Sequence, residues 1–409
     1  MAVSAAFAAT NFTSAARAKG AASVTDHGAL GNGIADDTTA FERAINSGAS
    51  IISIPKGIYR LTRQIAIPSG ISLRGSGAPQ IVLDVKHFNE TRISRTYAPN
   101  ACALLFLGSQ GGGASGLTFT LSAYGSELVV MALALRASTQ IQILDCTFYG
   151  FSKTKIIRID SCSDCVIAAN HFYNCHLSCE GPAQLTCIDV DDNRLRDGSS
   201  KLRIIGNIIR NITVSPAFLT THGNQTDGIN ISHETSSGHL IAGNTIDTVG
   251  DGIDCFGHEC MIEGNILQNC HNFGVKLIHG AHRNIVRDNR IENPGLGGIV
   301  LTGSGANATD TAQNIVTENR ISGVGAHNQW PGATTFGIKL EDDHGERIAR
   351  DNIIRSNTIE RGPRMEIGIL IADRASGNVI TDNSVEGYHR ADYFLKNPSL
   401  QTLKRKVEK

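Results

Sequence analysis

The chain has 409 residues, 41% of them hydrophobic and 18% charged, with 37 Lys and Arg against 38 Asp and Glu. That much apolar content supports a sizeable core and excludes a disordered chain, and so few charges exclude a coiled coil. A net charge of −1 supplies no global positive field for nucleic acid or an anionic membrane, and no apolar run reaches the roughly 18 residues that cross a bilayer.

Residues 1–22 are rich in Ala, Ser and Thr, and Ala16-Arg17-Ala18 has the small-residue character of a cleavage site. A basic start and a Leu-rich stretch are missing, so the segment reads as a flexible leader or the remnant of a trimmed signal. The expected location is secreted or cell-surface. Asp36-Asp37-Thr38 then precedes Ala40, Phe41, Ala44 and Ile45, whose spacing predicts an amphipathic capping helix. Ile51 to Tyr59 and Ile71 to Gly75 read as the first short strands.

From Ala168 onward two units alternate. One places Asn between apolar residues, at Asn170, Asn207, Asn244, Asn265, Asn289, Asn319, Asn357 and Asn383. The other is Gly followed by alternating apolar residues, as in Asp227-Gly-Ile-Asn-Ile231, Asp251-Gly-Ile-Asp-Cys255, Phe273-Gly-Val-Lys-Leu277 and Phe336-Gly-Ile-Lys-Leu340. The tighter repeats are 21 to 24 residues apart. A coil of that length, built of short strands with one face buried and Asn at its corners, predicts an all-β, single-stranded right-handed parallel β-helix over 23–395, with a C-terminal tail at 396–409. Nine of the ten Cys fall between Cys146 and Cys270. Cys162-Ser-Asp-Cys165 has redox or zinc spacing but no second pair completes a tetrahedral set, so it reads as a packed stack or a local disulfide.

The stretch Val24 to Phe41 followed by Ile54-Pro55-Lys-Gly57-Ile-Tyr59 resembles the N-terminal signature of the pectate-lyase-like superfamily, which includes polygalacturonases, rhamnogalacturonases, fructotransferases and phage tailspikes. That resemblance implies the β-helix and leaves the reaction open, because one such scaffold hosts hydrolases, lyases, epimerases and adhesins.

The residue between the two inward apolar positions of each strand faces outward, and successive coils align these residues in a ladder. It runs through Arg158 and Asp160, Asp189 and Asp191, then Asn230, Asp254, Lys276, Val300, Lys339 and Leu370. Asp227 and Asp251 open their strands at equivalent places, so coils about 4.8 Å apart bring their carboxylates together. Clustered carboxylates suit glycoside hydrolysis, which needs one protonated acid and one ionised base or nucleophile. Gln225-Thr226-Asp227-Gly228-Ile229 resembles a polygalacturonase motif, which implies that Asp227 and Asp251 activate water. Gly250 stands where that family has its proton donor, so Asp254, Glu234 or Glu259 must be the acid. Asp227 to Glu234 also resembles a segment of inulin fructotransferases, which implies Asp227 and Glu234 as the acid and nucleophile pair and allows transglycosylation.

Around the catalytic candidates Asp227, Asp251, Asp254 and Glu234, the expected substrate contacts are Asn230, His233, His258, Lys276, Asp189, Arg158 and Trp330, the last by stacking on a sugar. His222, His271 and His279 lie in the same coils, and the recurring pairs His233-Glu234 and His258-Glu259 suggest a shared corner. No cofactor is expected for a glycosidase. The alternative lyase reading uses Lys276 with Arg158 or Lys339 to neutralise a uronate and allows Ca²⁺ on Asp189, Asp191 and Asp192. A tailspike-like protein that binds glycan without turnover is the third reading. Expected partners are a carbohydrate polymer or oligosaccharide, with no nucleic acid or membrane, and self-assembly into a homotrimer.

Overall fold

A computed structural model describes residues 20–88, 102–123, 130–179, 181, 183–191, 197–303, 309–326, 332–341 and 348–404. Its strands fall into three long parallel sheets of 14, 13 and 12 strands plus one two-stranded pair. Each complete coil lays one strand in each long sheet before starting the next, which is the right-handed β-helix expected from the repeat. Among the described residues no helix is long and apolar enough to cross a membrane.

The interior is a set of side-chain columns parallel to the helix axis. Ile157, Ile188, Ile229, Ile253, Val275, Ile299, Ile338 and Ile369 are in register along the 12-stranded sheet, and all are buried. In the 13-stranded sheet Phe119, Phe148 and Phe172 stack at 5.3 and 4.7 Å between ring centroids. Burying each such side chain is worth about 1.5 to 3 kcal/mol, so the stack is stabilised coil by coil.

Two of the three corners carry buried Asn ladders, a more specific arrangement than Asn at every corner. The first runs between the 14- and 13-stranded sheets through Asn170, Asn207, Asn244, Asn265, Asn289, Asn319, Asn357 and Asn383. Each amide Nδ2 donates to the next coil's Oδ1, and the same Oδ1 also accepts from the preceding coil's Asn backbone N–H. The residue before each Asn is left-handed, from Ala169 at φ 55° to Asp382 at φ 56°, which turns the chain and directs the following amide inward. A second ladder through Asn284, Asn314, Asn352 and Asn378 lines the entrance to the 14-stranded sheet.

The cap at the N-terminal end is the helix Thr38–Ile45, with Phe41 edge-on to Tyr59 at 5.5 Å. Asp37 does not cap it through its side chain as the spacing suggested. Its carboxylate instead accepts from the backbone N–H groups of Leu30 at 2.7 Å and Gly31 at 3.3 Å, pinning the preceding loop to the helix start. At the other end the segment read as a tail supplies the strand Thr402–Lys404, paired with Val379–Thr381, because Leu403 continues the inward column of Ile380. The strand Ala21–Ser23 likewise begins inside the segment read as a leader.

None of the ten Cys is disulfide-bonded, and nine are buried. Burial pushes the Cys146 and Cys175 thiols up to about 12, so they behave as small core hydrophobes rather than nucleophiles.

Candidate active site

Two outward columns cross the face of the 12-stranded sheet. The first takes the first or second residue of successive strands, with Lys155, Thr186, Asp227 and Asp251 in register. The second is the ladder read from the sequence, with Arg158, Asp189, Asn230, Asp254, Lys276, Val300, Lys339 and Leu370 in register. Simple alternation would put Asp227 on the same side as Ile229 and Ile231. The chain bends at Gly228, where an added Cβ would lie 2.9 Å from Ile246 Cγ2 and 2.7 Å from the Gly252 carbonyl oxygen, so that position points inward. The bend puts Asp227 and Asn230 on one face.

Asp227, Asp251, Asp254 and Lys276 meet in a cleft of about 260 Å³, with Gln184, Asn224, Asn272, Phe273 and Leu296 around them. Lys276 Nζ lies 2.8 Å from Asp254 Oδ2 and 3.1 Å from Asp251 Oδ2. Asp251 Oδ1 accepts from the Phe273 N–H at 3.3 Å. Asp227 Oδ2 accepts from Gln184 Nε2 and Thr186 Oγ1, each at 3.0 Å. Lys155 Nζ donates to the same Thr186 hydroxyl at 2.9 Å and to Gln184 Oε1 at 2.5 Å, so it braces both donors of Asp227.

Burial pushes the Asp227 carboxyl up to about 6, with the Asp251 and Asp254 charges adding to the rise and Lys155 and Lys276 opposing it. Burial also pushes Asp254 up to about 6, helped by Asp251 and opposed by Lys276. The Lys276 ammonium is itself pushed well up by Asp251 and Asp254 despite its burial, so it stays charged. Asp254 Oδ1 is buried and meets no donor. An oxygen in that position is cheaper to bury protonated than ionised.

Several expected contacts lie elsewhere. Arg158 and Asp189 are 2% and 0% exposed and hold each other in an ion pair, with Arg158 Nε 2.6 Å from Asp160 and Lys155 Nζ 3.2 Å from Asp189. They form a buried ionic cluster in the outward ladder and do not line the cleft. Asp189 and Asp191 do not fit a Ca²⁺ site. The Asp189 oxygens face Lys155 and Arg158, and those of Asp191 accept from Ser161 N, Ser199 N and the hydroxyls of Ser199 and Ser236. Among the described residues no group of three or more His, Cys, Asp or Glu is arranged to hold a metal. Asp192 and Trp330 lie outside the described residues.

Glu234 is exposed in the turn after Thr226–Ile231 and does not line the cleft. His233 turns away to accept from Thr235 N at 3.1 Å. The two His-Glu pairs are not stacked, because His258 is in register with Ser237 and not with His233, and its ring meets His282 at 4.8 Å. Glu259 is a left-handed corner residue, 2.8 Å from Arg283 of the next coil. His222, His271 and His279 likewise do not line the cleft. At Gly250 an added Cβ would lie 2.4 Å from the Thr226 carbonyl oxygen, so no side chain can supply a carboxyl there. Asn230 is buried beside Asp254 in the ladder without reaching the cleft wall.

Reading the sequence missed Lys155, Gln184, Thr186, Asn224, Asn272 and Phe273. A signal for the first and third was present, since Lys155 and Thr186 occupy the strand-opening column of Asp227.

Residues 21–100 match the family model for rhamnogalacturonase A/epimerase, pectate lyase-like, and residues 132–309 match that for the right-handed β-helix region. The preneck appendage protein of Bacillus phage PZA is 23% identical over 370 residues, covering 89% of this chain and 36% of the relative. The chain thus spans about a third of the length of that curated relative. The PfbA surface adhesin of Streptococcus pneumoniae superposes with a TM-score of 0.71 at 16% identity, covering 95% of this chain and 96% of the other. The family 28 exopolygalacturonase of Yersinia enterocolitica does so with a TM-score of 0.59 at 11% identity, covering 95% and 78%. With this strand topology the chain is a right-handed parallel β-helix, and its first coils are similar to the pectate lyase-like family model.

Proposed function

We propose that the protein cleaves glycosidic bonds of a poly- or oligosaccharide by carboxylate acid and base catalysis. The observation that carries this reading is the joining of Asp227, Asp251 and Asp254 around Lys276 in one cleft, with two of the carboxyls pushed up to about 6. Asp254 in its protonated form gives its proton to the departing glycosidic oxygen as the C–O bond breaks. Asp227, with Asp251 beside it, takes a proton from the attacking water, or attacks the sugar and is released by water or by a second sugar hydroxyl. Lys276 pairs with Asp251 and limits how far the other two titrate upward.

The likeness to an exopolygalacturonase supports a carbohydrate substrate, and the likeness to a surface adhesin and a phage appendage protein supports action outside the cell in an oligomer such as a trimer. An elimination mechanism is less well served, because Lys276, its candidate cation, is already neutralised by two carboxylates. Digestion of a panel of neutral and acidic polysaccharides tests the reading. New reducing ends without ultraviolet absorbance from an unsaturated uronide are expected. That absorbance would move the assignment to a lyase, and binding with no cleavage of any glycan would make the protein an adhesin.

A further inference from the structure

Toward the C-terminal coils the cleft opens into a larger groove of about 550 Å³, and Phe273 and Leu296 line both. The outer face of a solenoid sheet meets water and is ordinarily polar. Here several outward positions in this stretch are apolar. Phe336 and Leu370 pack outside the main core with Phe273 and Phe394 against them, and the Phe273 and Phe336 rings stack at 6.0 Å. Cations rim this apolar floor. Lys339 Nζ lies 5.4 Å over the Phe336 ring and is neutralised by Glu341 at 2.5 Å. The Arg390 guanidinium lies 4.7 Å from the Phe394 ring centroid, and neither it nor Lys396 makes an ion pair with any described residue.

We infer that this groove binds further sugar residues of the glycan held in the aspartate cleft, and that the glycan carries carboxylates. The inference rests on the proposed function and adds the substrate class. The aromatic floor matches the apolar C–H face of a pyranose ring. Arg390 presents a planar fork that pairs with a carboxylate through two parallel hydrogen bonds, and Lys396 adds a second positive charge to the same wall. A neutral glycan would leave both cations without a counter-charge. Continuity through Phe273 and Leu296 makes one chain of sugars the occupant of both sites. A folded protein partner would instead need a patch of about 800 Å² on this side, broader than a walled groove offers.

The test is calorimetric binding of defined hexasaccharides: polygalacturonate, alginate and hyaluronan as carboxylated probes, cello- and malto-hexaose as neutral ones, and a heparin hexasaccharide as a sulfated one. At least one carboxylated probe is expected to bind, and reducing its carboxyl groups to alcohols should abolish binding. Arg390→Gln or Phe394→Ser should weaken the same probe by about tenfold or more, with an unchanged circular dichroism spectrum and melting temperature. Lys396→Gln, at the end of the strand and away from the core, gives a second reading should either variant misfold. Equal or tighter binding of the neutral or sulfated probes, no binding of any carboxylated probe, or full affinity in Arg390→Gln and Lys396→Gln would overturn the inference. The two readings fail separately. Carboxylate-dependent binding that Arg390→Gln weakens, with no cleavage by the wild type, would remove the enzymatic proposal and keep the groove. Cleavage of neutral glycans with no carboxylate preference would do the reverse.

Discussion

Lys276 holds one oxygen of Asp254 at 2.8 Å while the other oxygen of that carboxyl is buried with no donor. The two residues are neighbours in the outward ladder, one coil apart. The pairing makes Asp254 an acid whose proton is controlled by a fixed cation, with burial raising its affinity for the proton and Lys276 lowering it.

Replacing that cation is therefore expected to move the pH dependence. In Lys276→Gln the carboxyls of Asp227 and Asp254 lose an opposing charge, so both hold their protons to higher pH, and the pH–rate profile should shift upward by about one unit. Lys276→Arg should keep the profile close to that of the wild type. A profile that stays in place or moves to lower pH in Lys276→Gln would show that the ion pair does not set the titration.

The same carboxyls predict how stability changes with pH. Asp227 and Asp254 titrate near 6 in the folded protein against an ordinary value of 3.8, so the folded state binds protons that the unfolded chain has released. Their contribution is fully present below pH 3.8 and is lost as the pH rises through 6. Each shift corresponds to about 2 to 3 kcal/mol. Asp227→Asn or Asp254→Asn should remove part of this slope, leaving the variant at least as stable as the wild type at pH 7 and no more stable at pH 4. Urea unfolding at the two pH values measures it, and an unchanged slope in both variants would contradict the titration assigned to them.

The Asn ladder predicts a large effect far from the cleft. Asn289 Nδ2 donates to Ile262 O, Arg287 O and Asn319 Oδ1, and its Oδ1 accepts from both the N–H and Nδ2 of Asn265. Asn289→Ala strands several buried polar groups at once and should cost about 3 to 5 kcal/mol, since each unsatisfied group costs about 1 to 3. An exposed ladder would tolerate the change. A loss below about 1 kcal/mol in thermal unfolding would show that water replaces the amide.

Much of this architecture was legible in the chain. Asn recurring every coil marked the corner, and Ile229, Ile253 and Val275 marked the inward column, because a solenoid repeats its contacts at a fixed chain distance. The outward ladder from Arg158 to Leu370 followed from the same register. Accessibility was not legible: Arg158 and Asp189 have the outward register of ligands yet are buried and satisfy one another. Phase was lost wherever a coil is lengthened. The residues between Ile231 and Ser237 shift His233 and Glu234 out of step with His258 and Glu259, so equal offsets in sequence did not give equal places in space. Lys155 and Thr186 escaped notice because they lie at the start of strands that lack the Gly that flags Asp227 and Asp251. Phe273 and Phe336, read only as the start of their repeat units, turned out to face outward and floor the groove.

The most direct test of the account is turnover by Asp227→Asn and Asp254→Asn on whichever glycan the wild type cleaves. Both variants should fold, still bind the sugar, and lose about 10²- to 10⁴-fold in kcat, the range that acid and base groups supply. Wild-type kcat in either variant, with the same glycan and at the optimum pH, would place the chemistry outside the Asp227, Asp251 and Asp254 cleft.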